Sequence, residues 1–356
     1  MKALRYYDNR DIRVEDIPAP AGELGPHEVL VRITHCGICG SDLHEYLDGP
    51  LYSPGEPHPQ TGASRPTIMG HEFSGVVEGV GGAVASVAVG DRVAGMPQRF
   101  CGTCRQCLRG RQQTCERLAA VGYSTRWGGL AEYGVFDDDQ VFALPEGVSN
   151  VLGALVEPTA VAVHAVEAAP VAIGDVVLIT GGGPIGLLVA MCARAAGAGR
   201  ILLSEPHDAR RARAEALGFC TAVDPRVESL AEVVAAATDG AGADVCIECS
   251  GSAPAVASAF EAVRLGGTIV QTAMASAPIS IDTSARLTMR DVIYKGVYCY
   301  DVTSWPKVIG LIASGAIDPE PLVTSRVPLE RAPEAFDALL DPTRDEVKIL
   351  ITGSEA

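Results

Sequence analysis

The sequence predicts an α/β protein of two domains, a mostly antiparallel β domain followed by a doubly wound parallel sheet. Three observations carry that expectation. Short apolar runs between turn signals fill the chain to residue 157, strand and helix patterns alternate from 158 to 298, and a glycine-rich turn stands near the start of the alternation. At 356 residues the chain is long for a single core, and 47% hydrophobic against 20% charged residues describes a globular chain that can bury large ones.

Taken in order, the runs 1–7, 12–17, 28–34, 74–80, 91–95, 130–135 and 140–144 read as strands, with the clearest alternation at Val29, Val31 and Ile33. Between them, PLYSPGEPHPQTGASRP at 50–66 carries five prolines, too many for a regular element. Such a loop is expected at a rim or as a lid, with a contact between subunits or a plain surface loop as the alternatives. From 176 the alternation is strand 176–180, helix 184–197, strand 200–205, helix 208–217, strand 220–224, helix 228–238, strand 243–249, helix 254–265 and strand 267–272. The tail is mixed, with helical stretches at 304–314 and 330–340 and a last strand near 347–352. Residues 299–356 are therefore expected to rejoin the first domain.

The turn after VVLIT reads Gly181-Gly182-Gly183-Pro184-Ile185-Gly186. In a strand–turn–helix, Gly181 permits the tight turn, Gly183 lets a pyrophosphate approach the backbone, and Gly186 lets helix and strand pack closely. Pro184 and Ile185 open the helix whose free N–H groups face the phosphates; proline there gives up an N–H with no intrahelical partner. A lone G-x-G-x-x-G is a weak signal in a chain with 39 glycines, but here the next strand ends on an acid, Glu205. That carboxylate can accept hydrogen bonds from an adenosine ribose diol and would repel a 2′-phosphate, which favours NAD over NADP. The basic run Arg210, Arg211 and Arg213 reads as a solvated helix face, with a contact of Arg210 against the adenine as the other reading.

A net charge of −16 with no clustered basic face argues against a nucleic-acid partner. The N-terminus turns charged too soon for a signal peptide, and no apolar run is long enough to span a membrane, so a cytoplasmic protein is expected. Eleven cysteines then point to metal or buried thiols rather than disulfides.

Cys101, Cys104, Cys107 and Cys115 lie at C-x2-C-x2-C-x7-C spacing, which closes a tetrahedral zinc site with no open position, a structural role. A more dispersed set is Cys39 in CGICGSD, His71 and Glu72 in GHEFSG, and Glu157 in LVEPTAVAVHA. Three ligands of these types and a vacancy make a catalytic zinc site, although each residue taken singly has an ordinary structural explanation.

Gly70-His71-Glu72 with Gly75 and Gly81, the four-cysteine stretch, GGGPIG and Glu205 fall in the order found in the zinc-dependent medium-chain dehydrogenases, which the whole chain resembles. Glu157 in place of a second cysteine is similar to the polyol branch, and GSDLHEYLDGP with LVTSRVPLERAPEAFDALL is most similar to its butanediol dehydrogenases. The resemblance implies a GroES-like β domain and a Rossmann domain. It also implies one catalytic zinc on Cys39, His71 and Glu157, with Glu72 a competing ligand, and one structural zinc. On the same ground Ser41 would contact the alcohol oxygen and His44 would relay its proton outward. Asp42 would accept the free ring N–H of His71, and Ser250 and Gly251 would meet the nicotinamide half of NAD.

The expected activity is interconversion of a secondary alcohol and its ketone by a homo-oligomer, a dimer or tetramer, with 2,3-butanediol and acetoin favoured. A sorbitol-like polyol dehydrogenase and an L-threonine 3-dehydrogenase are the alternatives, and a non-catalytic dinucleotide-binding protein is the alternative of another class.

Overall fold

The computed structural model describes residues 1–275 and 277–353. Its chain divides into two compact units, Met1–Glu157 with Asp301–Gly315 and Pro319–Ala356, and Pro158–Tyr300 with Ala316–Asp318.

The first stretch forms β1 (Lys2–Asp8), β2 (Asp11–Asp16), β3 (Glu28–Gly37), α1 (Gly40–Asp48), β4 (Thr67–Ile68), β5 (Glu72–Val80), β6 (Arg92–Gly95), β7 (Gln98–Arg99), β8 (Ala119–Ala120), β9 (Tyr133–Asp137), β10 (Val141–Ala143) and α2 (Asn150–Ala154). The chain leaves through α3 (Val156–Ala168) into β11 (Val176–Thr180), α4 (Pro184–Ala196), β12 (Arg200–Ser204), α5 (Asp208–Ala216), β13 (Thr221–Val223), α6 (Leu230–Ala237), β14 (Ala243–Glu248), α7 (Ala253–Ala262), β15 (Val263–Gln271), α8 (Thr283–Arg286) and β16 (Ile293–Gly296). It returns with α9 (Trp305–Ala313), β17 (Val323–Pro328), α10 (Ala332–Leu340) and β18 (Lys348–Thr352).

In the first unit the main sheet runs β10-β6-β5-β3-β18-β17, with β9 also on β3; its pairs are antiparallel except β17 with β18. Alternation buries Val29, Val31 and Ile33 on one face, where they pack with Phe73, Val77, Phe136 and Phe336. After Ile33 the alternation breaks, because the β3–β5 register shifts between Ile33 and His35. A bulge of this kind re-aims the side chains that follow it, and here it leaves Cys36 and Gly37 buried opposite Phe73 and Glu72.

In the second unit the strand order β13-β12-β11-β14-β15-β16 is all parallel. Its core gathers Leu178, Leu202, Cys246, Val256, Phe260 and Ile269. The order reverses between β11 and β14, and in open parallel sheets ligands sit at the carboxyl ends of the strands at such a point.

Several boundaries differ from the sequence expectation. The strand expected at 130–135 lies at Tyr133–Asp137, and the helix expected to reach 265 stops at Ala262. Val263 turns extended there (φ −65°, ψ 141°) and starts β15, whose Arg264 is held by Asp244 at 2.7 Å. Helix α1 and strands β16 and β17 are not legible in the sequence pattern.

Candidate active site

The turn from β3 into α1 builds the centre. Cys39 is the N-cap of α1, and Asp42 at the N3 position accepts the Cys39 backbone N–H on Oδ2 at 2.9 Å. This is a capping-box arrangement with unusual residues, which is why the sequence hides the helix start. His71 and Glu72 arrive from the start of β5. Gly70 before them has φ +90°, and a side chain on it would run into Leu130 and Cys36, so only glycine delivers His71 in this position.

Ligand atoms of Cys39, His71 and Glu72 lie within 4.8 Å of one another. Glu157 is buried in the first turn of α3 but stands outside that group. A thiol, an imidazole and a carboxylate make a donor set suited to zinc. His71 Nδ1 lies 3.5 Å from Asp42 Oδ1, and Nε2 lies 3.5 Å from Ser41 Oγ. Burial by itself would lower the imidazole pKa, but Asp42 outweighs it and Cys39 adds, so His71 is held well above its ordinary value. A metal ion held by this imidazole would need the ring neutral.

Ser41 Oγ is 3.5 Å from His71 Nε2, and His44, one turn further along α1, is exposed with Nδ1 3.6 Å from Asp48. Two residues that sequence reasoning missed complete the surroundings. The buried Tyr123 places its hydroxyl 2.9 Å from Ser41 Oγ and 3.1 Å from Asp42 Oδ1. Lys348 of β18 is 3% exposed, and its Nζ donates to both oxygens of Glu72 (2.8 and 2.7 Å) and to the Ile38 carbonyl (3.0 Å). Desolvation would lower the Lys348 pKa, yet Glu72 first, then Cys39 and Glu157, raise it, so the ammonium stays charged. Gly37 is required here as well, since a side chain on it would collide with Glu72 Oε2. A charged residue inside EVKILI is the one sequence signal for Lys348; nothing marks Tyr123.

The proline-rich segment has no helix or strand from 49 to 66, but its start is anchored. Buried Glu45 of α1 accepts the backbone N–H groups of Leu51, Tyr52 and Ser53 at 2.8–2.9 Å. That brings the Tyr52 ring to 5.1 Å from Tyr123.

Cys101, Cys104, Cys107 and Cys115 also have their sulfurs within 4.8 Å of one another, and none is in a disulfide. Backbone N–H groups of Cys101, Cys104, Cys107 and Arg117 point at these sulfurs at 3.3–3.5 Å. The Thr103 backbone N–H first, with that of Cys104, pulls the Cys101 thiol down to about 5 and similar donors lower Cys104, whereas burial pushes the Cys107 and Cys115 thiols up. The set fits a structural zinc. A Cys115→Ser variant is expected to lose about one equivalent of zinc per chain and melt earlier; metal analysis showing unchanged zinc would contradict the assignment.

In the second unit Gly181 has φ +98°, and a side chain on it would meet Ser250 and Cys249 at 3.0–3.1 Å, so the β11 and β14 loops abut at the switch point. A side chain on Gly186 would strike the Gly181 carbonyl, whereas one on Gly183 would project into open space. The first condition packs helix on strand, and the second leaves room for a phosphate; Pro184 and Ile185 occupy the first turn of α4. Glu205 is buried, accepting Gly182 N–H on Oε2 (2.7 Å) and His207 N–H on Oε1 (2.9 Å), with lone pairs left for a diol. Arg211, rather than Arg210, is the arginine tied to this turn, through the carbonyls of Glu205 and Pro206; Arg210 is half-buried on α5. Ser250 is exposed and Gly251 buried, both held by the buried Glu248, which sequence reasoning also missed.

Residues 25–146 match the alcohol dehydrogenase GroES-like domain, and residues 184–314 match the zinc-binding dehydrogenase family. The chain is 37% identical to (R,R)-butanediol dehydrogenase of Bacillus subtilis (strain 168), covering 99% of each. It is 35% identical to "Probable D-xylulose reductase A" of Emericella nidulans, covering 97% of this chain and 94% of that one. Among solved structures, that of 2R,3R-butanediol dehydrogenase from Bacillus subtilis superposes with a TM-score of 0.92 at 36% identity over 99% of both chains.

Proposed function

The chain belongs to the zinc-binding alcohol dehydrogenases with a GroES-like domain, and from that premise we propose that it interconverts a vicinal diol and its acyloin with NAD, 2,3-butanediol and acetoin first among them. Dehydrogenase membership removes the non-catalytic alternative. The observation that carries the reading is that the fold brings the Cys39 thiol and the His71 imidazole together with Ser41 beside the imidazole nitrogen.

In this proposal Cys39, His71 and Glu157 hold a zinc ion and Glu72 is kept back by Lys348. Zinc bound there supplies Lewis acidity that makes an alcohol easier to deprotonate, and the nicotinamide supplies the hydride acceptor. The protein's own groups do the rest. Asp42 fixes the orientation of His71, and Ser41 Oγ accepts the hydroxyl proton of the alcohol, with His44 passing it towards solvent. Gly181, Gly183, Pro184, Ile185 and Gly186 cradle the pyrophosphate, Glu205 takes the ribose diol, Arg210 lies by the adenine, and Ser250 and Gly251 meet the nicotinamide half. The acid at 205 supports NAD over NADP by like-charge repulsion of a 2′-phosphate.

Homo-oligomerisation is supported by β16, an edge strand of the parallel sheet whose Ile293 is 56% exposed. No helix among the described residues is long and apolar enough to cross a membrane, and eleven free cysteines support a reducing cytoplasm.

The test is NAD⁺ and NADP⁺ reduction by zinc-replete protein with resolved butanediols, sorbitol, xylitol and threonine, with light scattering on the same preparation. Turnover of one butanediol isomer with NAD⁺ at least about tenfold faster than with NADP⁺ is expected. A xylitol preference, which the similarity to a D-xylulose reductase makes the second reading, would move the substrate to the pentitols and leave the site chemistry intact.

A further inference from the structure

Tyr123 has no place in the ligand set or the cofactor turn, yet it stands beside Ser41, Asp42 and His71. Its ring lies 5.2 Å from that of His71 and 5.1 Å from that of Tyr52, and the side chain is buried. Its hydroxyl reaches two oxygens at once, Ser41 Oγ at 2.9 Å and Asp42 Oδ1 at 3.1 Å.

A phenol has a single proton to give. Asp42 already receives the Cys39 N–H on Oδ2 and stands with Oδ1 3.5 Å from His71 Nδ1, so the side chain takes the acceptor role on this side. A hydrogen bond to a carboxylate is the stronger of the two choices, so Tyr123 donates to Asp42. The 2.9 Å contact with Ser41 then holds only if Ser41 supplies the proton; otherwise two sets of lone pairs face each other.

On this basis we propose that Tyr123 is a positioning residue for Ser41: it accepts a hydrogen bond from the Ser41 hydroxyl before reaction, so that Ser41 Oγ presents a lone pair to a bound alcohol, and Ser41 releases the proton it already carries towards solvent by way of His44 as it takes the alcohol's. The inference rests on the dehydrogenase reading above and names a residue that sets its proton traffic. Removing the phenolic oxygen frees the Ser41 hydroxyl to rotate and to offer its proton, rather than a lone pair, to the substrate.

The experiment is a double-mutant cycle on the full-length, zinc-loaded protein with Tyr123→Phe, Ser41→Ala and the pair together. kcat, KM and zinc per chain are measured with the alcohol that wild type oxidises fastest. Tyr123→Phe is expected to lower kcat about tenfold, to leave KM within about twofold and zinc unchanged, and to change kcat by less than about twofold when Ser41 is already alanine. Equal losses in both backgrounds, no loss in either, or loss of zinc overturn the proposal, because a merely structural tyrosine acts independently of Ser41. Should Tyr123→Phe fail to fold, 3-fluorotyrosine at position 123 keeps both contacts but accepts more weakly. It is then expected to lower kcat about two- to threefold at an unchanged melting temperature, and an unchanged kcat overturns the idea. Wild type that oxidises none of the alcohols overturns the functional reading and this inference together; turnover with additive losses overturns this inference alone.

Discussion

Glu157→Ala is expected to lower kcat/KM by at least about a thousandfold, equivalent to about 4 kcal/mol of transition-state stabilisation, and to release about one equivalent of zinc while the four-cysteine site keeps its own. A site with three protein ligands depends on each of them, and the loss of one leaves the metal weakly held and its Lewis acidity misplaced. Glu72→Gln is the partner experiment. In the proposed site two carboxylates would compete for one position; Glu72 stands among the ligand atoms while Lys348 occupies both of its oxygens. If Glu157 is the working ligand, Glu72→Gln retains zinc and most of the activity. A reversed pattern, with zinc lost from Glu72→Gln and kept in Glu157→Ala, would make Glu72 the resting ligand.

Lys348→Met is expected to be the most destabilising single change outside the metal sites, by about 3–5 kcal/mol. The pair is nearly solvent-free, and all three ammonium hydrogens are used, two on Glu72 and one on the Ile38 carbonyl. Removing the lysine leaves a buried carboxylate without its countercharge, and its nearest relief is to turn toward the metal. Lys348→Met combined with Glu72→Gln is therefore expected to recover most of the melting temperature lost by the single variant, since replacing both partners removes the uncompensated charge. Equal melting temperatures for wild type and Lys348→Met would remove the pair from the account of stability. The pH dependence has a definite sign. Because the folded lysine pKa is raised, its contribution is complete below the unfolded value near 10.5 and is lost as pH rises through the higher folded value.

The features legible in the order of amino acids are local ones. The four cysteines of 101–115, the glycines of 181–186 and Glu205 declare themselves because metal geometry and a phosphate-binding turn demand fixed residue types at short spacings. The alternation from 176 to 272 declares a parallel sheet because each strand and helix carries its own period. Cys39, His71 and Glu157 need a family resemblance to be joined, since no spacing rule links them.

The tertiary structure alone decided which side chains meet. A register shift between Ile33 and His35 turns the end of β3 so that Gly37 stands against Glu72. The pairing of β18 with β3 then brings Lys348, from the far end of the chain, onto the same carboxylate. Tyr123 reaches Ser41 only because the segment after the cysteine cluster folds back over α1. In a strand one residue of slip exchanges the two faces, so contacts between distant segments depend on bulges and pairings that local patterns do not encode. The sequence by itself determined the two chemistries this protein is equipped for, metal and dinucleotide binding. The packing of distant strands determined which carboxylate Lys348 holds and which hydroxyl stands beside His71.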